Sequence, residues 1–559
     1  MAEPYLTAQQ KASRAINKGA EASQSPCYVC KKMLWMSFFF DAPKFDATED
    51  RASPERLTNV GKLLAIHRES NPDRGVYVIY LNGLQKPLNS QNYARSQTAK
   101  EISKTTFEEG ARDKIKDAGK EAAKKAAETR KPEISAFTDL LNPKSWKDVI
   151  FKAIFEAAKE GVGFIRDNPV FSSFTESGVT TRINNAVTEF ENILKRQTQE
   201  ITRIRIAIFG ADMGAAIARA FANKLINEHM KIDGDKVLCD KAEVEFMFMG
   251  LFDCVSSRSK DVINSAALSK ASLGQYSQGL DAPMGIRPQF RYVYHAVAAH
   301  ENRPYKRIDS IRKCNAPVIS EELFAGEQRD VVGGHLPGEE GRSNQLSRIS
   351  LMRMYSSAMV QAVPLRSLEQ IETVDAKLTA AFTLTDKLVE NGIPRDTSAR
   401  ILAIMRPDLN TVGLEEGLVA GARQRLRWLA TAYSDLNRRQ RYQEQFDRLR
   451  KQFERIDQAF NHPMAQSEAQ VRLGLDIYAT ELKLRGDWQT YYTRFNGEYP
   501  QRMSAEDAGI EALFEQFIHD AFAGMKDDGV DQMESALTLG DGRWGYLTPR
   551  PVDSSDTFE

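Results

Sequence analysis

The chain has 559 residues, 42% hydrophobic and 27% charged, a composition that excludes disordered and fibrous classes and leaves room for several domain-sized units or one large elaborated domain. Lys plus Arg and Asp plus Glu number 76 each, so no bulk charge favours nucleic acid as a partner. Five scattered cysteines (Cys27, Cys30, Cys239, Cys254 and Cys314) exclude a disulfide framework, and there is neither a Sec-type signal nor an apolar run long enough to cross a membrane.

Residues 1–32 are polar and read as a mobile N-terminal segment. LWMSFFF (34–40) is short, apolar and aromatic, the pattern of a buried strand. LTNVGKLLAIHRES (57–70) reads as a helix capped by Thr58 or Asn59, and GVYVIYLNGL (75–84) as a second strand. Residues 95–135 are charged and Ala-rich, a solvated helix or flexible insertion. PKSWKDVIFKAIFEAAKEGVGFI (143–165) sets Trp146, Ile150 and Ile154 at helical spacing, with Lys147, Lys152 and Lys159 among its polar positions; core packing and a membrane-surface helix both fit that pattern. Cys27-x-x-Cys30 is half a zinc site with no matching pair, so neither metal nor cofactor is expected.

ITRIRIAIF (201–209) predicts a strand and GADMGAAIARAFAN (210–223) a tight turn entering a helix. VEFMFMGLFDCV (244–255) predicts a further strand ending at Asp253, and FRYVYHAVAAHENR (290–303) a strand followed by a helix. From about 365 the pattern is mostly helical, with 423–456 a long charged helix or helix pair, and GRWGYLTPRPV (542–552) closes as strand and loop. Apolar strands alternating with helices predict an α/β class with a mainly parallel sheet, whose sites form at the carboxyl ends of strands. Gly210–Gly214 and Asp253 both belong to that edge.

The turn is not a dinucleotide cradle. Gly210 and Gly214 have the wrong separation, and Asp212 would set a carboxylate against pyrophosphate. It fits the frame of a nucleophile elbow, in which flanking glycines let a strained residue point outward between strand and helix. An aspartate there would attack an sp³ carbon to give an alkyl ester that a histidine-assisted water cleaves; against an acyl ester it would give a reactive mixed anhydride. The plainer role is to cap the following helix.

The order of motifs resembles the type VI secretion phospholipase (lipase) effector family, with its α/β-hydrolase catalytic domain. That family opens FFDGTGN and TNV-A-KL; this chain has FFFDAPKFD (38–46) and TNVGKLL (58–64). GFSRGAAxARxFAN appears as GADMGAAIARAFAN, FLGLFDTVxS as FMGLFDCVSS (248–257), and HAVAxDExR as HAVAAHENR (295–303). The WFPGxHSDVGGGY-like segment appears as LFAGEQRDVVGGHL (323–336) and the VHDSxAGF-like segment as IHDAFAGM (518–525), with GYLTPRPV in place of GYxRxR. Carried over, the family's serine, aspartate and histidine fall on Asp212, Asp253 and Gln328, so only the aspartate is kept. Gln328 is an amide and no usable base at neutral pH. The oxyanion region falls on Asp41, Ala42 and Met213, where Pro43 removes a backbone N–H that a donor loop could use. His335 is the candidate substitute base; His295, His300 and His519 also sit in matched motifs.

The resemblance implies an α/β-hydrolase-like sheet over 33–90 and 201–360, a helical insertion over 91–200 that binds membrane or partner, a helical region over 361–510, and a C-terminal return over 511–559. It implies a degenerate member acting by binding a phospholipid surface, a secretion spike or carrier protein, or a cognate immunity protein. The alternative is an active hydrolase with a rearranged site, or with Asp212 as nucleophile, His335 as base and Asp253 orienting it. Made in the bacterial cytoplasm, such a chain would leave by type VI secretion.

Overall fold

The computed structural model describes residues 31–84, 86, 88, 177–234, 236–255, 283–303, 306–373, 375–405, 413–461, 475–523 and 545–555. The expectations for the N-terminal segment, the Cys27/Cys30 pair, the charged stretch 95–135 and the amphipathic segment 143–165 lie outside these residues.

Six strands run parallel in one sheet, in the spatial order β2 (Val76–Leu81), β1 (Lys31–Phe40), β3 (Glu200–Ala211), β6 (Ala242–Phe252), β7 (Val293–Ala298) and β9 (Ile319–Phe324). An antiparallel hairpin, β4 (Lys231–Asp233) with β5 (Lys236–Cys239), pairs with the first half of β6. The strands are apolar on both faces because helices cover both. Leu34, Met36, Phe38 and Phe40 of β1 and Ile204, Ile206 and Ile208 of β3 enter one core, with α2 (Ser177–Lys195) and α3 (Met213–His229). Trp35, Phe39, Ala207 and Phe209 enter the other, with α1 (Asn59–Ile66), α5 (Ser347–Val360), α6 (Leu414–Tyr433) and α9 (Ala505–Gln516). Between α1 and α5 in sequence, a five-residue helix α4 (Gln328–Val332) follows β9. The predicted strands at 34–40, 75–84, 201–209 and 244–255 all form, and Thr58 is the cap of α1, accepting from the Gly61 N–H. β3 and β6 are parallel neighbours, as the carboxyl-edge argument requires.

Two readings need correction. Residues 299–303 form no helix after β7. The N–H groups of Ala299 and His300 bond across to the carbonyls of Phe324 and Gly326, and Glu301 and Arg303 are buried as an ion pair, so the backbone stays committed to its neighbour. The stretch 423–456 is broken: α6 ends at Tyr433, a short helix spans Leu436–Arg441, and α7 (Gln443–Asn461) follows before α8 (Leu475–Asn496). The terminal strand is two residues, β10 (Val552–Asp553), parallel to β8 (Ile308–Asp309). Among the described residues no helix is long and apolar enough to cross a membrane.

A buried chain of hydrogen bonds joins β1 to the end of α1. Trp35 Nε1 donates to Ser37 Oγ at 3.1 Å, Ser37 Oγ lies 2.9 Å from His67 Nε2, and His67 Nδ1 lies 2.6 Å from the Arg68 carbonyl. The carbonyl fixes the proton on Nδ1, leaving Nε2 to accept from Ser37. Burial pushes this imidazole down to about 4, and burial likewise pushes His300 down to about 3. Since the folded state disfavours the proton that the unfolded chain takes up below about 6.5, stability rises with pH through that window and is lost as pH falls from about 6.5 to about 4. His67 alone is expected to contribute of order 3 kcal/mol to this loss. Thermal melts of wild type and His67→Gln between those pH values check it: the variant's slope should be shallower, and identical slopes would refute the assignment.

Candidate functional site

Asp41, Asp212, Asp253 and Gln328 follow the carboxyl ends of β1, β3, β6 and β9, so the sheet delivers all four to one edge. Asp212 sits between β3 and α3 at φ 54° and ψ −129°. A non-glycine residue at positive φ stores roughly 1–3 kcal/mol of strain, and it persists only where its surroundings over-determine it. They do so here. The Asp212 N–H donates to the Phe252 carbonyl at 2.9 Å, and its own carbonyl accepts from the Val255 N–H at 3.3 Å, tying the turn to the end of β6. A Cβ on Gly210 would lie 2.5 Å from Ala215 Cα, and one on Gly214 2.3 Å from the Asp41 carbonyl oxygen. The flanking glycines therefore permit close approach of the α3 backbone to β3 and β1.

The side chain of Asp212 does not cap α3, which corrects the plainer expectation. Its carboxylate accepts from Lys306 Nζ at 2.8 Å, with both side chains buried. Asp253, also at positive φ and fully buried, accepts from the Ala298 N–H at 2.8 Å and from Gln328 Nε2 at 3.3 Å. Both of its oxygens also receive the Arg550 guanidinium, whose Nη1 lies 2.8 Å from Oδ2. The two positions expected from the resemblance to hold acid and base thus meet in a hydrogen bond, but the donor is an amide and the acceptor is already ion-paired.

Asp41 turns inward. Its carboxylate accepts from Thr58 Oγ1 at 2.5 Å, Tyr80 OH at 2.7 Å and the Ala42 N–H at 2.8 Å. Burial lifts it to about 6 against those bonds. The Ala42 N–H, a candidate oxyanion donor, is therefore committed to the side chain before it. Met213 is the first residue of α3 and is buried.

His335 Nε2 lies 2.8 Å from Glu327 Oε1 and Nδ1 lies 3.1 Å from Glu339 Oε1. Burial alone would push this imidazole down, but the hydrogen bonds to Glu327 and Glu339 outweigh burial and raise it to about 9. His295 accepts from the Cys254 N–H and faces Glu321; His300 accepts from the Gly326 N–H and faces Gln424. His519 faces Asp330 and the Glu339 carbonyl. A cleft of about 740 Å³ lies along the edge strand β2, lined by Tyr77, Val78, Tyr80, Arg51 and Arg366 among others, and shares no lining residue with the Asp212–Lys306 pair.

Sequence reasoning missed Lys306 and Arg550. Lys306 lies outside every quoted motif, so no local signal marks it. Arg550 lies inside GYLTPRPV, where an arginine in an otherwise apolar closing motif was the available hint. Removing one partner of a buried pair is costly because it leaves an uncompensated charge. Lys306→Met should destabilise the fold by about 3–5 kcal/mol, and Asp212→Asn in that background should restore much of it. Urea titrations of the two single variants and the double variant measure the coupling; strictly additive losses would dismiss the pair as a stability element.

Residues 227–357 match the family model described as "T6SS, Phospholipase effector Tle1-like, catalytic domain". That segment contains Asp253 and Gln328 and begins after the elbow. No curated protein matches the chain. Among solved structures, the crystal structure of an uncharacterized protein from Pseudomonas aeruginosa aligns with a TM-score of 0.53 at 17% identity, over 98% of this chain and 83% of that one, a likeness of fold. The structure of the Tle1 effector bound to the VgrG spike from the type 6 secretion system aligns with a TM-score of 0.36 at 14% identity, over 70% of this chain and 83% of that one. Residues 227–357, where the GLFDCV and RDVVGG motifs lie, are thus similar to the catalytic domain of the Tle1-like type VI secretion phospholipase effectors.

Proposed function

We propose that this chain is a non-catalytic member of its family, an α/β-hydrolase-like scaffold whose nucleophile position has become a buried ion pair and whose role is binding. The observation that carries this reading is the pairing of charges at the edge: Asp212 is held by Lys306 and Asp253 by Arg550. An ion-paired, buried carboxylate is a poor nucleophile, since attack would leave the lysine charge uncompensated in a site with little water. Gln328 occupies the base position and offers Asp253 an N–H; an amide accepts no proton at neutral pH. The Ala42 N–H is turned to Asp41, and Pro43 has none to offer.

As a family member the chain would bind a secretion spike or carrier protein, a cognate immunity protein, or a phospholipid surface. The rival, an active hydrolase using Asp212 and His335, is favoured by the strained elbow, which is retained although no serine stands on it. Against it, both ring nitrogens of His335 face the carboxylates of Glu327 and Glu339.

Purified protein is expected to show no turnover above background on short-chain esters or mixed phospholipid vesicles. Turnover that disappears in Asp212→Ala would overturn the reading. Asp212→Ser with Gln328→His is expected to recover little, because the loop at Ala42-Pro43 also differs; strong recovery would show that the loop tolerates catalysis.

A further inference from the structure

We propose that the cleft along the free side of β2 is a docking site for an extended acidic peptide segment of a partner protein, which adds to the edge of the sheet as a further strand. The cleft shares no lining residue with the Asp212–Lys306 pair, so the inference does not depend on whether that edge is catalytic. The run GVYVIYLNGL marks a strand, but nothing local in it tells an edge strand from a central one.

β2 pairs with β1 and, among the described strands, with no other. With Trp35 opposite Val76 in parallel register, Tyr77, Ile79 and Leu81 turn their backbone groups to β1, and Val76, Val78 and Tyr80 turn theirs outward. Outward groups of an edge strand template pairing with another chain unless they are covered. The first half of this edge is covered from within. Val76 exchanges bonds with Asn71, its N–H donating at 3.0 Å and its carbonyl accepting at 2.8 Å, and the Val78 N–H donates to Ser70 Oγ at 3.0 Å. The second half is open: among the described residues nothing bonds the Val78 carbonyl or the N–H and carbonyl of Tyr80. A guest residue opposite Tyr80 in an antiparallel strand exchanges two bonds with it, and the residue two positions along donates to Val78. Tyr80 is fixed before any guest arrives, because its phenol donates to Asp41 at 2.7 Å and accepts from the Ala47 N–H at 2.6 Å.

The space beside these groups is about 740 Å³, in the range of ligand clefts, and it is walled from both faces of the sheet. On the α1 side the wall is Leu57, Leu64, Ala65 and Val78. On the other it is Tyr77 with Arg196, Gln197 and Thr198, which follow α2; Gln197 Nε2 donates to Tyr77 OH at 2.9 Å. A strand sends successive side chains to opposite faces. A guest on this edge therefore sets one side chain against the apolar wall of α1 and the next among the polar groups after α2.

Charge selects the guest. The chain as a whole is neutral, yet the cleft is lined by Lys32, Arg51, Arg68, Arg196 and Arg366 against only Glu69 and Asp73, an excess of three positive charges. His67 adds none at neutral pH, since burial holds its imidazole down at about 4. Arg366 lies 3.9 Å from Glu69, whereas among the described residues Lys32, Arg51, Arg68 and Arg196 form no ion pair. Arg51, Arg68 and Arg196 are exposed, free to meet carboxylates in charge-assisted hydrogen bonds. An anionic membrane would meet the same charges but has no ladder of N–H and carbonyl groups for Val78 and Tyr80. An acidic strand satisfies both the backbone and the rim.

The test pans the full-length chain against a displayed library of random nine-residue peptides at low salt. Enriched peptides should be rich in Asp and Glu with β-branched residues between them. The best of them, made synthetically, should bind saturably and protect the amides of 76–81 from hydrogen exchange. N-methylation of three successive central residues should weaken it by at least ~10-fold, because the ladder bonds are lost. Arg51→Glu/Arg68→Glu should weaken it by ~10-fold or more with an unchanged melting temperature. No enrichment, a best peptide that is not acidic, protection only outside 76–81, or an affinity indifferent to N-methylation overturns the proposal. So does binding of anionic phospholipid vesicles that is lost in the double variant while no peptide is taken up, which would make the cleft a membrane site. If the double variant does not fold, the N-methylation and exchange readouts on wild type decide.

Discussion

A row of carboxylates at a water-poor sheet edge has to be neutralised, and the rest of the structure depends on how that is done. Asp41 is satisfied by Thr58, Tyr80 and its own next N–H, Asp212 by Lys306, Asp253 by Arg550, and Asp309 by Arg219 at 2.9 Å. Stranding any one of these charges would cost several kcal/mol, a large fraction of the net stability of a typical domain. Arg550 lies 297 positions from Asp253, so the closing segment of the chain is a structural part of the edge. Arg219 does the same for α3: the helix that follows the elbow is pinned to β8 through Asp309.

Elbow geometry and elbow chemistry are separable in this protein. The conformation at Asp212 follows from two glycine contacts and two backbone hydrogen bonds, one to Phe252 at the end of β6 and one to Val255 just after it, none of which involves its side chain. The turn's geometry is set by backbone, and the buried carboxylate it carries is matched by Lys306. At the end of the sheet Gln328 bonds to Asp253, and an amide does not take up a proton at neutral pH. Together these contacts describe an edge whose buried carboxylates are held by charge pairing.

On the far side of α4, the same packing logic gathers Glu327, Asp330, His335, Glu339 and His519. Glu327 and Asp330 form a reciprocal capping box at the start of the helix, which fixes their carboxylates. Gln328 is therefore positioned from both sides, by the cap on its own helix and by Asp253.

The sequence alone determined the strands and their edge. Apolar runs such as LWMSFFF and VEFMFMGLFD specify strands buried on both faces, Thr58 marks the start of α1, and the spacing of Gly210 and Gly214 specifies a strained turn. These are local properties, written within a few residues by periodicity, capping and steric freedom. The helix expected after β7 failed because backbone bonds to Phe324 and Gly326 override local propensity. The partners of Asp212 and Asp253, the commitment of His335 to two glutamates, and the meeting of His519 with Asp330 were decided only by tertiary structure. Each is a contact between residues whose separation in sequence carries no pattern, and burial makes the choice of partner energetically decisive once the sheet has brought them together.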